Sequence, residues 1–197
     1  MSKRIPLSPD QVKTFILACH AKHDRVVELL DEQPRLLRAS MDWGEGDWEN
    51  GLEAAGHMGN RDITELLLSR GMDRTLFSAA MMGEKEIVER LLAADPGAVS
   101  HPGVHRMSLI YHIAISGDPD IAEIAKACGD VPGKDAAIHP AVKFGHLDMT
   151  TWLIDNGATD LNTLNFQEQT PLAVALENGN EDLANLLKQH GAAHDLA

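Results

Sequence analysis

The stretch Gln169-Thr-Pro-Leu-Ala-Val-Ala-Leu-Glu-Asn-Gly-Asn-Glu-Asp-Leu-Ala-Asn-Leu-Leu-Lys-Gln-His-Gly-Ala-Ala193 decides the fold. Thr170 offers a hydroxyl that can accept a backbone N–H at a helix start. Pro171 follows at the first helical position, where its fixed φ and missing N–H cost nothing. Ala173-Val174-Ala175 is a run of small side chains that lets one helix approach its neighbour closely. Gly179 then ends that helix, because glycine takes a positive φ without strain. Leu183-Ala184 and Leu186-Leu187 carry the i, i+3/i+4 stripe of a second short helix, and Gly191 stops it. The unit reads helix, tight turn, helix, stop.

Working outward, the same pattern recurs five times. Apolar stripes lie at Val26-Val27/Leu29-Leu30, Ile63/Leu66-Leu67-Leu68, Ile87-Val88/Leu91-Leu92, Ile121-Ala122/Ile124-Ala125 and Met149/Trp152-Leu153-Ile154. Four residues before each stands an anchor: Lys22, Gly59, Gly83, Gly117, Gly145, and Gly179 in the last unit. With 16 glycines in 197 residues, glycine at five of six anchors is far above chance. Stops follow at Pro34, Gly71, Asp95, Gly129, Gly157 and Gly191. One such unit cannot bury both apolar faces, so six must stack as an all-α solenoid.

Composition narrows the function classes. Thirty acidic against 17 basic side chains give a net charge of −13, which repels phosphate backbones and disfavours nucleic acid as a partner. No apolar run approaches the length of a membrane-spanning helix, and Pro6, Pro9 and Asp10 interrupt the apolar character of the N-terminal stretch. The two cysteines, Cys19 and Cys128, have no CxxC spacing. A cytoplasmic protein without a membrane or cofactor is expected.

The 169–193 stretch resembles an ankyrin repeat, whose motif reads TPLHxAAxxGxxxIVxxLLxxGA. Gly145-His146-Leu147-Asp148 and Asn156-Gly157-Ala158 match it again. The resemblance covers roughly residues 11–193 and implies a single domain over 1–197, with units near 8–34, 48–71, 73–95, 107–129, 135–157 and 169–191. The anchor spacings of 37, 24, 34, 28 and 34 depart from the usual ankyrin length of about 33. The two short intervals leave no room for the β-turn finger of an ankyrin unit. Fingers are therefore expected in three places only, at about 35–50, 96–107 and 158–169. In this the chain is more similar to bacterial ankyrin proteins than to long eukaryotic arrays. Asp73 and Asp135 stand where they can cap the helices after the bare connectors. His139 alone falls on the motif's histidine, and Ser8 with Gln11 makes a capping box for an atypical first unit.

The resemblance implies partner binding on the concave side, formed by fingers and the ends of the first helices. The two positions before each anchor point there: His20-Ala21, His57-Met58, Met81-Met82, Ile115-Ser116, Lys143-Phe144 and Glu177-Asn178. The middle of this row is apolar in an acidic protein, and methionine adapts to varied partner shapes. Met58, Met81, Met82, Ile115 and Phe144 are thus candidate anchors, with Trp43, Trp48 and His57 along the rim. Two alternatives stand beside this one. The row can be inter-repeat core, and the tryptophans of the first finger can fold back as a lid on the first two units.

Catalysis and metal binding find no sequence pattern. There is no P-loop, no GxSxG elbow and no HExxH. Asp42, Asp47 and Glu49 lack the ligand order of an EF-hand. Cys19, His20 and His23 lie close in sequence, and His101/His105 and His190/His194 are four apart. Pro102-Gly103 breaks the second group, and the third straddles Gly191. Carboxylates such as Glu28, Asp31, Glu65, Glu86 and Glu123 fall on solvent faces of second helices. The expectation is a monomeric, non-catalytic adaptor or regulator with a protein partner that carries a basic patch, and with no metal. The alternatives are a self-associating structural protein or a small-ligand or metal-responsive sensor.

Overall fold

The computed structural model describes residues 6–193; His194, one of the paired histidines above, lies outside them. Twelve α-helices among the described residues pair in sequence order. They are α1 (Pro9–Cys19) with α2 (His23–Glu32), α3 (Gly51–Met58) with α4 (Arg61–Ser69), and α5 (Leu76–Met82) with α6 (Lys85–Ala94). The remaining pairs are α7 (Leu109–Ser116) with α8 (Pro119–Cys128), α9 (Lys134–Lys143) with α10 (Leu147–Asp155), and α11 (Pro171–Glu177) with α12 (Glu181–Gln189). The odd-numbered helices form an inner row and the even-numbered ones an outer row, the two layers of an ankyrin-like solenoid.

Local chemistry starts and ends these helices. Ser8 accepts the Gln11 backbone N–H while the Gln11 side chain accepts that of Ser8, the capping box read from sequence. Asn50 with Glu53, and Thr75 with Ser78, build the same arrangement on α3 and α5. Thr170 accepts from the Ala173 N–H ahead of Pro171. The anchor glycines adopt a positive φ, between +67° and +79°. Gly117 also needs its missing side chain: a Cβ there would meet the His146 ring at 2.4 Å. Lys22 occupies the anchor position at φ −120°, so the first unit turns without a left-handed residue and tolerates lysine.

Two expected caps are placed differently. Thr75, not Asp73, caps α5, while Asp73 sits exposed beside Arg38 at 3.4 Å. Asp135 lies within the first turn of α9, which starts after Gly133 at φ +87°. Its Oδ1 accepts the backbone N–H groups of Thr159 at 2.7 Å and Asp160 at 3.1 Å, fastening the start of the third finger.

Three long connectors carry the fingers. The first contains a 3-10 turn, Pro34–Arg38, and the antiparallel strands β1 (Ser40–Asp42) and β2 (Trp48–Asn50), paired Ser40↔Asn50, Met41↔Glu49 and Asp42↔Trp48. Alternation along β2 sends Glu49 inward and Trp48 outward. The second finger is two 3-10 turns, Pro96–Ser100 and Val104–Arg106, and the third is turns alone. The connectors at 70–75 and 129–133 are bare. Fingers thus alternate with gaps.

The core is divided. Phe15, Ile16, Val26, Leu30, Leu52, Ile63 and Leu67 belong to one buried cluster within the first two helix pairs. Val88, Leu92, Ile110, Ile113, Ile138, Leu153, Leu172 and Leu187 belong to another, spanning the remaining four. The break falls at the bare connector between α4 and α5. There the inner row closes tightly: α3 packs on α7 as well as on α5. A Cβ on Gly59 would meet the Phe144 ring at 2.5 Å and Ile115 at 2.9 Å. Second, fourth and fifth helix pairs therefore converge on one glycine.

Candidate functional site

That convergence decides the fate of the inner row. Met81 is fully buried and Ile115 is 3% exposed, so both are inter-repeat core and not surface anchors. The cause is the missing finger at 70–75, which lets the inner helices close on one another. Met82 is half-buried, and the Arg61 guanidinium donates to the backbone carbonyls of Met81 and Met82 at 3.2 and 2.9 Å. Met58 and Phe144 remain exposed at the rim of the pinch.

The gaps between fingers open into two grooves. One, of about 680 Å³, lies between the first and second fingers, with Glu53 and Phe77 beside Gly44–Trp48 and Pro102–Arg106. The other, of about 630 Å³, lies between the second and third fingers. Its walls are Pro102, Met107, Leu164 and Phe166, and Tyr111, Ala136 and His139 also line it. Phe166 stands 88% exposed at the third finger, the largest exposure among the big apolar side chains. Sequence reading passed over Tyr111, Leu164 and Phe166. Phe166 carried a signal, an unpaired aromatic in a finger, the same one that singled out the tryptophans; Tyr111 on α7 and Leu164 carried none.

His139 Nε2 lies 3.0 Å from the Thr163 hydroxyl, so the one motif histidine ties α9 to the third finger. Burial holds it below the ordinary histidine range.

Trp43 and Trp48 separate. Trp48 projects outward and is 58% exposed. The Trp43 indole N–H donates to Glu49 Oε2 at 2.7 Å, so this ring leans over a polar cluster and not over apolar core. Glu49 is fully buried and surrounded by histidines from three places in the chain. His57 Nε2 lies 2.9 Å from Glu49 Oε1, His105 Nε2 at 3.5 Å and His20 Nε2 at 3.6 Å. His57 is thus buried in this cluster instead of lying on a binding rim. Burial alone would raise the Glu49 carboxyl, yet hydrogen bonds from His57 and Trp43 and the charge of His20 hold it below the usual carboxylate range. Asp47 accepts the His105 backbone N–H at 2.9 Å and its Nδ1–H at 2.6 Å, and these bonds lower its carboxyl too. His105 itself sits at φ +54°, a left-handed conformation that is uncommon without glycine.

The cysteines take no part. Cys19 is buried, and that burial, with Glu49 near, pushes its thiol up to about 12, well away from a reactive thiolate. The carboxylates of Glu28, Asp31, Glu65, Glu86 and Glu123 are exposed on the outer helices. Among the described residues no helix is long and apolar enough to cross a membrane.

Paired short helices, left-handed glycine turns and fingers define an ankyrin-type repeat protein. Residues 76–196, more than half the chain, match the family model described as "Ankyrin repeats (3 copies)", and the chain belongs to the ankyrin-repeat family. The match begins at α5, where the second core begins. Among curated proteins, the chain is similar to the NF-kappa-B inhibitor cactus of Drosophila melanogaster, 32% identical over 119 residues. That alignment covers 57% of this chain and 23% of the relative. It is also similar to the nuclear factor NF-kappa-B p105 subunit of Mus musculus, 28% identical over 135 residues, 64% of this chain and 14% of the relative. The chain therefore spans less than a quarter of either relative's length.

Proposed function

We propose that this chain is a non-catalytic protein–protein interaction module, a monomeric adaptor or regulator acting in the cytoplasm, and that its partner docks on the finger side of the concave face. The observation that carries this reading is the groove between the second and third fingers, with Phe166 standing 88% exposed at its edge. An apolar groove lined by a few polar groups suits an inserted side chain of a partner, and exposed aromatics are the commonest anchors of such contacts. Alternate fingers and gaps present a rigid comb, so docking orders little chain. The net charge of −13 steers a partner with a basic patch. The similarity to a protein described as an NF-kappa-B inhibitor fits a role exerted by binding. The anchors are Phe166, Leu164 and Tyr111, with Met58, Phe144 and Trp48 as further exposed apolar contacts; Met81 and Ile115 have no place in this surface.

The test is capture of partners from native host lysate by the wild-type chain and by Leu164→Glu/Phe166→Glu. Leu17→Glu, an equally apolar exposed site on α1, is the control, and melting curves check the fold. A specific protein lost by the double variant and kept by the control supports the reading. Identical captures from all three chains overturn it, and light scattering that rises with concentration would point to self-association instead.

A further inference from the structure

We propose that His20, Glu49, His57 and His105 form a zinc site that ties the first finger to the second. The ligand atoms of His20, Glu49 and His57 all lie within 4.8 Å of one another. His105 stands next to this trio, its Nε2 3.5 Å from the Glu49 Oε1 that also faces His57 Nε2 at 2.9 Å and His20 Nε2 at 3.6 Å, and closes on the ion as the fourth ligand. Four ligands at roughly 2.0–2.1 Å from a tetrahedral zinc stand about 3.3–3.4 Å apart. The three nitrogens stand 2.9–3.6 Å from this oxygen, and drawing the imidazoles toward one another completes the set.

The hydrogen bonds outside the cluster argue for a cation inside it. His20 Nδ1 lies 2.9 Å from the Ile16 carbonyl oxygen, and His105 Nδ1 lies 2.6 Å from Asp47 Oδ2. Both oxygens only accept, so both Nδ1 atoms carry their hydrogens. Each Nε2 that faces the buried carboxylate oxygen then either carries a second proton, which makes its ring a cation, or turns a lone pair toward the anion. Lone pairs facing an anion repel unless a cation sits between them. Asp47 behind His105 is the carboxylate–histidine arrangement that orients metal-bound imidazoles and raises their basicity. Trp43 occupies Glu49 Oε2 and leaves Oε1 to the ion. The left-handed backbone at His105 is a local strain maintained at the residue that aims the third imidazole.

Three imidazoles and one carboxylate suit zinc, whereas calcium and magnesium require mostly oxygen ligands. Four protein ligands close the coordination sphere, so the ion's role is structural. His20 ends α1, Glu49 lies on β2 and His57 on α3, all within the helix pairs of the first core. His105 belongs to the second finger, which follows α6 and leads into α7 of the second core. Zinc therefore staples the two halves of the molecule across the break in the core.

The full chain, stripped with chelator, is titrated with zinc chloride by calorimetry in excess magnesium, and its melting is followed with and without the metal. One zinc per chain is expected. Melting should rise by roughly 5–10 °C at a hundredfold excess over Kd and return to its starting value with chelator. His105→Ala and His20→Ala, both at partly exposed positions, should weaken binding at least about tenfold. Asp47→Asn should weaken it by roughly 10–100-fold without removing a ligand. His101→Ala/His190→Ala, at exposed histidines outside the cluster, should bind as wild type. The proposal is overturned if zinc does not bind, or if the cluster variants bind as tightly as wild type. A melting temperature that follows pH through the histidine range with no response to zinc would make the cluster a proton store instead.

Discussion

His112 shows how one side chain links burial to solution behaviour. It is 2% exposed on α7, with its Nδ1 bonded to the Ser108 carbonyl oxygen at 3.1 Å and its ring 5.0 Å from that of Phe77. Desolvation lowers its pKa from 6.5 to about 4, so the folded protein holds it neutral. The unfolded chain takes up a proton near pH 6.5 that the folded chain refuses until about pH 4. The stability is therefore full above pH 6.5 and falls as the pH drops through that window. From pH 7.5 to 5 the loss from this residue is on the order of 2 kcal/mol. Urea midpoints of wild type and His112→Asn at the two pH values measure it. The variant should lose much of the pH slope, and equal slopes would contradict the assignment.

At the scale of elements, the fingers are held by side chains from the helices beside them. Asp135 on α9 accepts two backbone N–H groups at the start of the third finger, so Asp135→Ala leaves both donors to water. The variant should cost about 1–2 kcal/mol. It should also raise amide exchange across 159–169 while exchange in α10 and α12 stays unchanged; uniform exchange changes would show that the bonds do not anchor the finger. The elements were largely legible in sequence, because their signals are local. A serine or threonine cap, a proline after it and a glycine three turns on act within one helix, and Ser8, Gln11, Thr170 and Pro171 took their expected roles. Asp135 escaped that reading because its partner lies more than twenty residues away.

For the whole molecule, the divided core sets the expectation. Repeat proteins unfold as sums of neighbouring units, and cooperativity weakens where an interface between units is poor. The break between α4 and α5 is such an interface in the outer row, where α4 and α6 meet less than any other neighbouring outer helices, while the inner row closes across it. Trp43 and Trp48 report on the first half and Trp152 on the second, where its N–H bonds Glu123 at 2.6 Å. Urea unfolding of the metal-free chain should show fluorescence from Trp152→Phe changing at lower urea than helical circular dichroism, since the first core is the smaller. Coincident transitions would mean that the pinch at Gly59 couples the halves fully.

Sequence by itself determined the repeat, most of the helix ends, the three fingers and the bare connectors between them; the starts of α5 and α9 were the exceptions. Each follows from periodicity and from residues that act on their own neighbours. Tertiary structure decided which side chains the stack buries, exposes or brings together. Met81 and Ile115 carry the same pattern as exposed concave residues, and only the closing of the inner row over a missing finger buries them. His20, Glu49, His57 and His105 are spread over 86 positions with no shared spacing. They meet because stacking brings the end of one helix, an inward strand position and a strained finger to one point. Side-chain convergence across units depends on the bend of the stack, and that bend is the sum of many packing contacts that no short stretch of sequence carries.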